Sequence, residues 1–368
     1  MKIGVVTFHR AINLGGVLQA FALQYFLKER GFQSEIIDYR CPVLEKQYYS
    51  RQLDWKKLKK IASAIVRNGV LKRNTSKFDD FRIDHLPISD TVYYPSNIGA
   101  ANDKYDVFVT GSDQVWSWDC AGFDKAYFLD FVTKPNTKLA YAASFGGASV
   151  PKEFEHDYQK LLMDFDDITV REAVGTEIVG SVAARSASIV LDPTLLIQQS
   201  IWRKELVDSS SIERPYLLVY MIAECKELLT LAKKVAKKKN LEIVYVSDRI
   251  YKPSGVTSKR NVGPKEFVTL VSGSEAVVTN SYHGICFSLI FRKELFVGFL
   301  RQNIKVNARL LYVIKKYRLE ERLIDSEVFS VDSKIDFDFI EGSLIDERRK
   351  SVEWANKWLA SSNSSGTS

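Results

Sequence analysis

The sequence predicts an α/β protein made of two domains, each built around a parallel β-sheet. The chain has 368 residues, which is more than one small hydrophobic core usually organises. Its opening follows the order strand, helix, strand, and that order is typical of parallel sheets. The same alternation starts again after a polar stretch at residues 192–214. We therefore expect two α/β domains in tandem.

The first predicted domain covers residues 1–200. Lys2–Phe8 is rich in Val and Ile, the Asn13–Gly16 segment has turn residues, and Val17–Arg30 shows helical spacing of apolar residues before Gly31. Further strands are predicted in short apolar segments: Ser34–Tyr39, Tyr105–Thr110, Lys138–Ala143, Ile168–Val170 and Ser188–Leu191.

The second predicted domain covers residues 213–345. Its predicted strands alternate with helices, and the elements in chain order are Tyr216–Ile222, Lys226–Lys239, Leu241–Ser247, Pro264–Ser272 and Ala276–Thr279. We expect residues 346–368 to form a C-terminal helix followed by a disordered polar tail, SSNSSGTS.

The net charge of +7 comes from one segment of the chain. Arg51–Arg82 has ten basic residues and three acidic ones, which accounts for the whole excess. Because nucleic-acid binding usually spreads basic residues over a wider face, we expect no nucleic-acid partner. This segment belongs to a predicted basic helical insertion at about 51–85. Its WKKLKKIASAIV stretch could contact an anionic membrane or a pyrophosphate-linked lipid, or it could be a solvated face packed on its own domain.

The cysteines and three of the four histidines show no metal-site spacing. His9, His85 and His156 form no HExxH motif, and no metal site is expected. The cysteines form no CxxC pair, so free and mostly buried thiols are expected at all four positions: Cys41, Cys120, Cys225 and Cys286. The apolar run at the N-terminus is too short for a signal-peptide core, which favours a cytoplasmic protein.

The fourth histidine lies in the segment VVTNSYHGICFSLIF, Val277–Phe291. A strand is predicted to end near Thr279, and a helix is predicted from Ile285. Ligands of open α/β sheets bind beyond the carboxyl ends of the strands. Four residues fall there: Asn280, Ser281, Tyr282 and His283. Gly284 would let a ligand approach the backbone, and the first helix amides would favour an anion. The alternative is that the histidine only caps the turn.

Four segments occur in a fixed order along the chain: GSDQVW at 111–116, VREAVGTEIV at 170–179, VLDPTLL at 190–196 and TNSYHG at 279–284. In order and separation they resemble the polysaccharide pyruvyl transferase family. The resemblance extends from the MKIGVVTF strand to the segment near Arg309. It implies two Rossmann-like domains facing a cleft, as in GT-B glycosyltransferases.

The resemblance also implies the reaction. The pyruvyl group of phosphoenolpyruvate is transferred onto two hydroxyls of a hexose in a bacterial surface polysaccharide or its lipid-linked precursor. A cyclic ketal forms and phosphate is released, with phosphoenolpyruvate as a substrate and no cofactor. Such a reaction would take place in the cytoplasm or at the inner face of the membrane, through a peripheral contact.

Donor chemistry is assigned through the same resemblance. The family histidine corresponds to His283, which is expected to transfer protons because an imidazole titrates near neutral pH. Arg171 matches a family arginine at a strand end and is expected to bind the donor. The alternative for Arg171 is an ion pair with Glu172 or another nearby acid.

One departure concerns the donor site. Well-described family members have an arginine two residues before the histidine, where this chain has Ser281. Either Ser281 acts with Asn280, Gly284 and backbone amides, or a cation such as Arg301 or Arg309 takes the place of the missing arginine, or the donor differs.

Acceptor contacts are expected in the first domain, from Asp113, Ser112, Trp116, Asn13 and Gln19. For Asn13 and Gln19 the expectation comes from the resemblance, because the corresponding loop borders the cleft in the family. Asp113 could accept a proton from a sugar hydroxyl, or it could, like Ser112, only cap a helix. Trp116 could stack on a sugar ring or pack in the core.

Two other functions remain open from the sequence. One is a GT-B sugar-nucleotide glycosyltransferase, because the same two-domain layout serves that reaction. The other is a non-catalytic carbohydrate-binding protein, since the donor-site arginine is missing.

Overall fold

The computed structural model describes residues 1–49, 75–208, 214–247, 253–300 and 307–363. The first domain contains a seven-stranded parallel sheet in the order β3-β2-β1-β4-β5-β6-β7. Its strands are β1 (Lys2–Val6), β2 (Gln33–Tyr39), β3 (Ile88–Tyr93), β4 (Val107–Thr110), β5 (Thr137–Ala143), β6 (Asp167–Val170) and β7 (Ser188–Ile189).

Helices cover this sheet and lead into the second domain. They are α1 (Leu14–Glu29), α2 (Pro42–Tyr49), α3 (75–85), α4 (Glu155–Met163), α5 (Ala173–Ala183), α6 (Pro193–Leu196) and α7 (Gln199–Leu206). Asn13 caps α1 by accepting a hydrogen bond from the backbone N–H of Gly16, as expected for a polar residue before a helix.

The second domain repeats the same architecture with five strands. The sheet order is β10-β9-β8-β11-β12, again fully parallel. Its elements are β8 (Tyr216–Tyr220), α8 (Lys226–Lys239), β9 (Glu242–Val246), β10 (Thr257–Lys259), α9 (Pro264–Gly273), β11 (Ala276–Thr279), α10 (Tyr282–Ile290), β12 (Glu294–Val297), α11 (Asn307–Lys316) and α12 (Phe337–Asn363).

Both sheets have the doubly wound order of nucleotide-binding folds, in which the strand order reverses at a central pair. In the first domain that pair is β1 and β4, and in the second it is β8 and β11. The predicted α/β fold with two Rossmann-like, GT-B-like domains is therefore confirmed.

The strands that the sequence did not predict are β3, β10 and β12, and all three lie at sheet edges. β3 and β10 contain polar and partly exposed residues such as Asp90 and Lys259. Edge strands tolerate such residues because one side faces solvent, so a search for apolar runs misses them.

The two domains share one hydrophobic core around α1 and α10. Trp202 of α7 is fully buried between them. Its ring centroid lies 5.5 Å from that of Phe21 on α1 and 4.9 Å from that of Phe287 on α10. Its indole N–H donates to the carbonyl of Thr194 at 3.1 Å. This side chain therefore joins elements of both domains.

The C-terminal helix returns to the first domain. α12 begins at Phe337, nine residues before the predicted helix, and side chains on it reach Leu195 and β6. Arg348 donates to the carbonyl of Leu195 at 2.9 Å, and Trp354 donates to the Asp167 carboxylate at 2.6 Å. The predicted disordered tail includes residues 364–368, which lie outside the described residues.

Most of the basic segment, residues 50–74, also lies outside the described ranges. Residues 75–85 are helical, and Lys77 in this part forms an ion pair with Glu266 of the second domain at 2.6 Å. Within the described residues we found no helix with both the length and the apolar character needed to cross a membrane. All four cysteines are free, and three of them are buried.

Replacing Trp202 with Ala should destabilise the protein by about 3–5 kcal/mol, because a large cavity forms where the two domains meet. The matched control is Trp118→Ala, since that tryptophan is exposed and its loss should cost about 0.5 kcal/mol. Urea unfolding followed by circular dichroism measures both. Equal losses for the two variants would show that Trp202 does not join the domains.

Candidate active site at the domain interface

Charged side chains from both domains meet where the sheets face each other. Three carboxylates and one guanidinium come from loops of the first domain, and three side chains come from α10 and α11 of the second. We call this set the Arg171 cluster, and its members are Asp113, Arg171, Glu172, Asp192, Tyr282, His283 and Arg309. All seven are buried.

Arg171 is the centre of the cluster. Each of its guanidinium nitrogens faces a different carboxylate: Nη2 lies 3.3 Å from Asp113, Nε 3.2 Å from Glu172 and Nη1 2.9 Å from Asp192. The guanidinium also lies 4.5 Å from the ring centroid of Tyr282. Burial alone would lower the pKa of Arg171, but the surrounding carboxylates raise it. The expected pairing with Glu172 is present, together with two further ion pairs.

Tertiary structure brings these three carboxylates together. Asp113 follows β4, with a left-handed backbone φ of 73°. Glu172 precedes α5, and Asp192 precedes α6, where its side chain accepts a hydrogen bond from the backbone N–H of Thr194. All three therefore lie at the carboxyl-end edge of the first sheet, where ligands of such sheets bind.

His283 enters the cluster from the second domain. It lies in the first turn of α10, which begins at Tyr282 and not at Ile285 as expected, because Ser281 caps the helix through the N–H of Gly284. The imidazole Nε2 is 3.6 Å from Asp192 Oδ2, and 9% of the side chain is exposed. The ring is thus held in the domain interface with limited access to solvent.

The Nδ1 edge of the His283 ring packs on Gly15, in the first turn of α1. A Cβ placed on Gly15 would lie 2.0 Å from Nδ1. Only a glycine leaves room for the ring at this position. Gly15 therefore allows the imidazole of His283 to reach the N-terminal end of α1 in the first domain.

Arg309 of α11 is a buried cation, and no carboxylate of the described residues forms an ion pair with it. Within the described residues it makes no hydrogen bond or ion pair, and its guanidinium lies 5.9 Å from the Tyr282 ring centroid. Burial lowers the pKa of Arg309, and the nearby charge of Arg171 lowers it further. The other predicted cation, Arg301, lies outside the described residues.

Three polar atoms of the cluster are buried without a hydrogen-bond partner among the described residues: His283 Nε2, Glu172 Oε1 and Arg309 Nε. Each such atom costs about 1–3 kcal/mol, and native proteins pair almost all of them. His283 Nε2 faces Asp192 just beyond hydrogen-bond distance, whereas Glu172 Oε1 and Arg309 Nε are typical of groups that bind a polar ligand.

The residues of the NSYHG segment around His283 have structural partners. Asn280 accepts from the backbone N–H of Ile222 at 2.8 Å and donates to the carbonyl of Ala223 at 2.7 Å. Ser281 is the α10 cap. A Cβ on Gly284 would lie 2.4 Å from Thr279 Oγ1, so a glycine is needed there for packing. These contacts fix the position of His283.

The predicted acceptor residues divide into buried and exposed groups. Gln19 and Ser112 are fully buried and hydrogen-bond to each other, with the Ser112 N–H donating to Gln19 Oε1 at 3.1 Å. Trp116 packs in the core, stacked on Phe128, so its ring presents no face to a sugar. Asn13 is exposed at the start of α1.

Sequence reasoning did not select Glu172 and Asp192 as site residues. Glu172 lies in the motif segment VREAVGTEIV and Asp192 in VLDPTLL. Membership of these segments is the sequence feature that could have indicated them. In the linear sequence, however, each has an ordinary structural role, as an ion-pair partner of Arg171 or as part of a DPT turn.

Other concave surfaces lie away from this cluster. A groove of about 640 Å³ is formed by α8, β9 and β10 on the second domain, and it is lined by Lys233 and Lys237. None of the residues that line this groove belongs to the Arg171 cluster. We therefore place the candidate site at the domain interface.

Comparison with known proteins identifies one family. The profile described as polysaccharide pyruvyl transferase matches residues 13–297. No curated protein matches the chain.

Among solved structures, a putative UDP-N-acetylglucosamine 2-epimerase from Listeria monocytogenes has a TM-score of 0.49 and 12% identity, covering 94% of this chain and 87% of its own. The corresponding epimerase from Rickettsia bellii has a TM-score of 0.45 and 9% identity, covering 99% and 98%. An α-glucosyltransferase in complex with UDP and DNA has a TM-score of 0.48 and 9% identity, covering 95% and 90%. We draw no functional conclusion from likenesses this distant.

Substituting Ala for Gly15 should displace the His283 ring, because the added Cβ cannot coexist with Nδ1. We expect the ring signals of His283 to shift in a ¹H–¹⁵N histidine NMR spectrum, with a loss of about 1–3 kcal/mol of stability from overpacking. Gly342→Ala is the control, since no heavy atom lies within 4 Å of its Cβ position. His283 signals that stay unchanged in Gly15→Ala would contradict this packing.

Proposed function

The chain belongs to the polysaccharide pyruvyl transferase family, and we propose that it transfers the pyruvyl group of phosphoenolpyruvate onto two hydroxyls of a hexose. The acceptor hexose belongs to a bacterial surface polysaccharide or to its lipid-linked precursor. The products are a cyclic ketal and inorganic phosphate.

One observation carries the proposal: the Arg171 cluster brings together a guanidinium, an imidazole and a carboxylate with an unpaired oxygen, and these match the three needs of this reaction. An anionic donor needs a cation, and Arg309 has no counterion among the described residues. Protonation of the enol carbon needs an acid, which His283 can provide. Activation of a hydroxyl needs a base, and Glu172 Oε1 is free to accept a proton.

The bond changes balance without a further reactant. A proton is added to the methylene carbon of phosphoenolpyruvate, and positive charge develops at the neighbouring carbon. The first sugar hydroxyl attacks that carbon and loses its proton. The bond to the phosphate oxygen then breaks, and the second hydroxyl attacks. One hydroxyl proton restores the acid that protonated the methylene carbon, and the other leaves on the phosphate.

His283 transfers the proton through Nδ1 in this proposal. Its Nε2 faces Asp192, whereas Nδ1 faces Gly15 at the start of α1. The amides at a helix N-terminus favour an anion. A donor bound there would lie between α1 and α10, and because these helices are in contact, its entry requires the two domains to separate slightly.

Arg309 takes the place of the arginine that this chain lacks at Ser281. Its guanidinium is buried, which strengthens its attraction for an anion because water screens it less. Arg171, by contrast, already faces three carboxylates, so we assign it to holding Asp113 and Glu172 in position for the acceptor hydroxyls.

The acceptor side is the first domain. Asp113 and Glu172 could each accept a hydrogen bond from the hexose, with the exposed Asn13 at the rim. A lipid-linked acceptor would place the reaction at the inner face of the membrane, and only the sequence of the basic segment supports this.

The direct test is incubation of the protein with phosphoenolpyruvate and a panel of free and lipid-linked galactosides, glucosides and mannosides. We expect the mass of one acceptor to increase by one pyruvyl ketal, with an equal amount of phosphate released. Release of a nucleotide from a sugar nucleotide would instead indicate a glycosyltransferase, and acceptor binding without any product would indicate a carbohydrate-binding protein.

Two variants test the residue assignments. His283→Asn should lower kcat by about 10²–10⁴-fold, the usual contribution of a general acid, and the exposed His156→Asn is its control. Arg309→Gln should raise KM for phosphoenolpyruvate by about 10–100-fold, because a charge-assisted hydrogen bond contributes about 1.5–3 kcal/mol. Its control is Arg349→Gln, an exposed arginine of α12. Unchanged turnover in His283→Asn would remove its catalytic role.

A further inference from the structure

Asp192 is the one carboxylate of the Arg171 cluster that faces the histidine of the other domain. It is fully buried, and its Oδ2 lies 3.6 Å from His283 Nε2. This separation is slightly longer than a hydrogen bond. Catalytic hydrogen bonds are often long in the absence of substrate and shorten when it binds, so a small movement of either domain would complete this contact.

The carboxylate itself is held firmly in place. Oδ1 accepts hydrogen bonds from the backbone N–H of Thr194 at 3.0 Å and from its hydroxyl at 2.7 Å. Oδ2 accepts from Arg171 at 2.9 Å, and the hydroxyl of Ser112 lies 3.4 Å away. Asp192 therefore presents one oxygen to His283 from a fixed position.

A fixed carboxylate determines which imidazole nitrogen carries the proton of the neutral ring. An ionised carboxylate only accepts hydrogen bonds, so the nitrogen facing it must be the N–H. Nε2 then holds the proton, and Nδ1 on the Gly15 side keeps a lone pair. Nδ1 becomes the nitrogen that gains and loses a proton during a reaction.

We propose that Asp192 is a positioning residue, which orients the imidazole of His283 and fixes its Nε2–H tautomer. The kinetic part of this inference rests on the proposed function, whereas the tautomer does not. Asp192 itself touches no substrate in this account. It acts across the domain interface, from the first domain onto a side chain of the second.

The ionisation of Asp192 is consistent with this role. Burial by itself would raise the pKa of this carboxyl, but His283, Arg171 and Thr194 together lower it below its usual value. The group is thus a carboxylate at neutral pH. A protonated acid at this position would offer a hydrogen of its own to the ring and would no longer select one tautomer.

The primary test is a ¹⁵N NMR measurement of the ring nitrogens in protein labelled at histidine, without substrate and at a pH where the ring is neutral. With only four histidines, His283→Asn assigns the signals. We expect His283 to be the Nε2–H tautomer in the wild type. A wild-type ring protonated at Nδ1, with Nε2 bare, would overturn the proposal without any variant being made.

Asp192→Asn provides the second measurement. We expect a mixture of tautomers at His283 and a fall in kcat of about 10²–10⁴-fold, as when the carboxylate beside a catalytic histidine is replaced. KM for phosphoenolpyruvate should change by less than about threefold, because only the transition state is affected.

The matched control is Thr194→Val, which removes a hydroxyl from Oδ1 and leaves Oδ2 facing the ring. It should keep the Nε2–H tautomer even if its thermal stability falls as much as that of Asp192→Asn. An unchanged tautomer and unchanged kcat in Asp192→Asn would refute the positioning role. A correct tautomer in a protein that forms no ketal would refute the proposed function and leave this inference standing.

Discussion

The interface between the two domains depends on the charge balance around Arg171. Three loops of the first domain each contribute a carboxylate, and without a buried cation between them these carboxylates would repel one another. Removing one partner of a buried ion pair typically costs about 3–5 kcal/mol, so the guanidinium fixes all three loops together. Tyr282 then packs on the same guanidinium at 4.5 Å, which attaches the second domain to the charged edge of the first. The position of His283, one residue further on, follows from this contact.

The charged groups of the Arg171 cluster are divided between the domains. The first domain provides Arg171 and the carboxylates Asp113, Glu172 and Asp192, and the second provides the imidazole of His283 and the guanidinium of Arg309. Within the described part of the cluster, the imidazole comes from the second domain and all three carboxylates come from the first. This division depends on the doubly wound folds, because each sheet presents the carboxyl ends of its strands to the other.

The sequence predicted the fold and the histidine but not the surroundings of that histidine. Parallel sheets follow from the repeated strand and helix alternation, and the position of His283 at the sheet edge could be predicted because the turn that contains it follows the buried strand β11. Asp192 could not, since its distance to His283 depends on how α6 of one domain packs on α10 of the other. Gln19, Ser112 and Trp116 are predicted acceptor residues, yet all three are fully buried. Sequence position shows which loop a residue belongs to, but only packing shows which way its side chain faces.

The central claim is that an anionic donor binds between α1 and α10, in contact with Arg309 and His283. A crystal structure of the protein with phosphoenolpyruvate bound tests it most directly. The account predicts a phosphate or carboxylate oxygen at about 3 Å from the Arg309 guanidinium, with the methylene carbon on the Nδ1 side of His283. Donor density in the lysine-lined groove of the second domain, with the Arg309 guanidinium still unpaired, would contradict it.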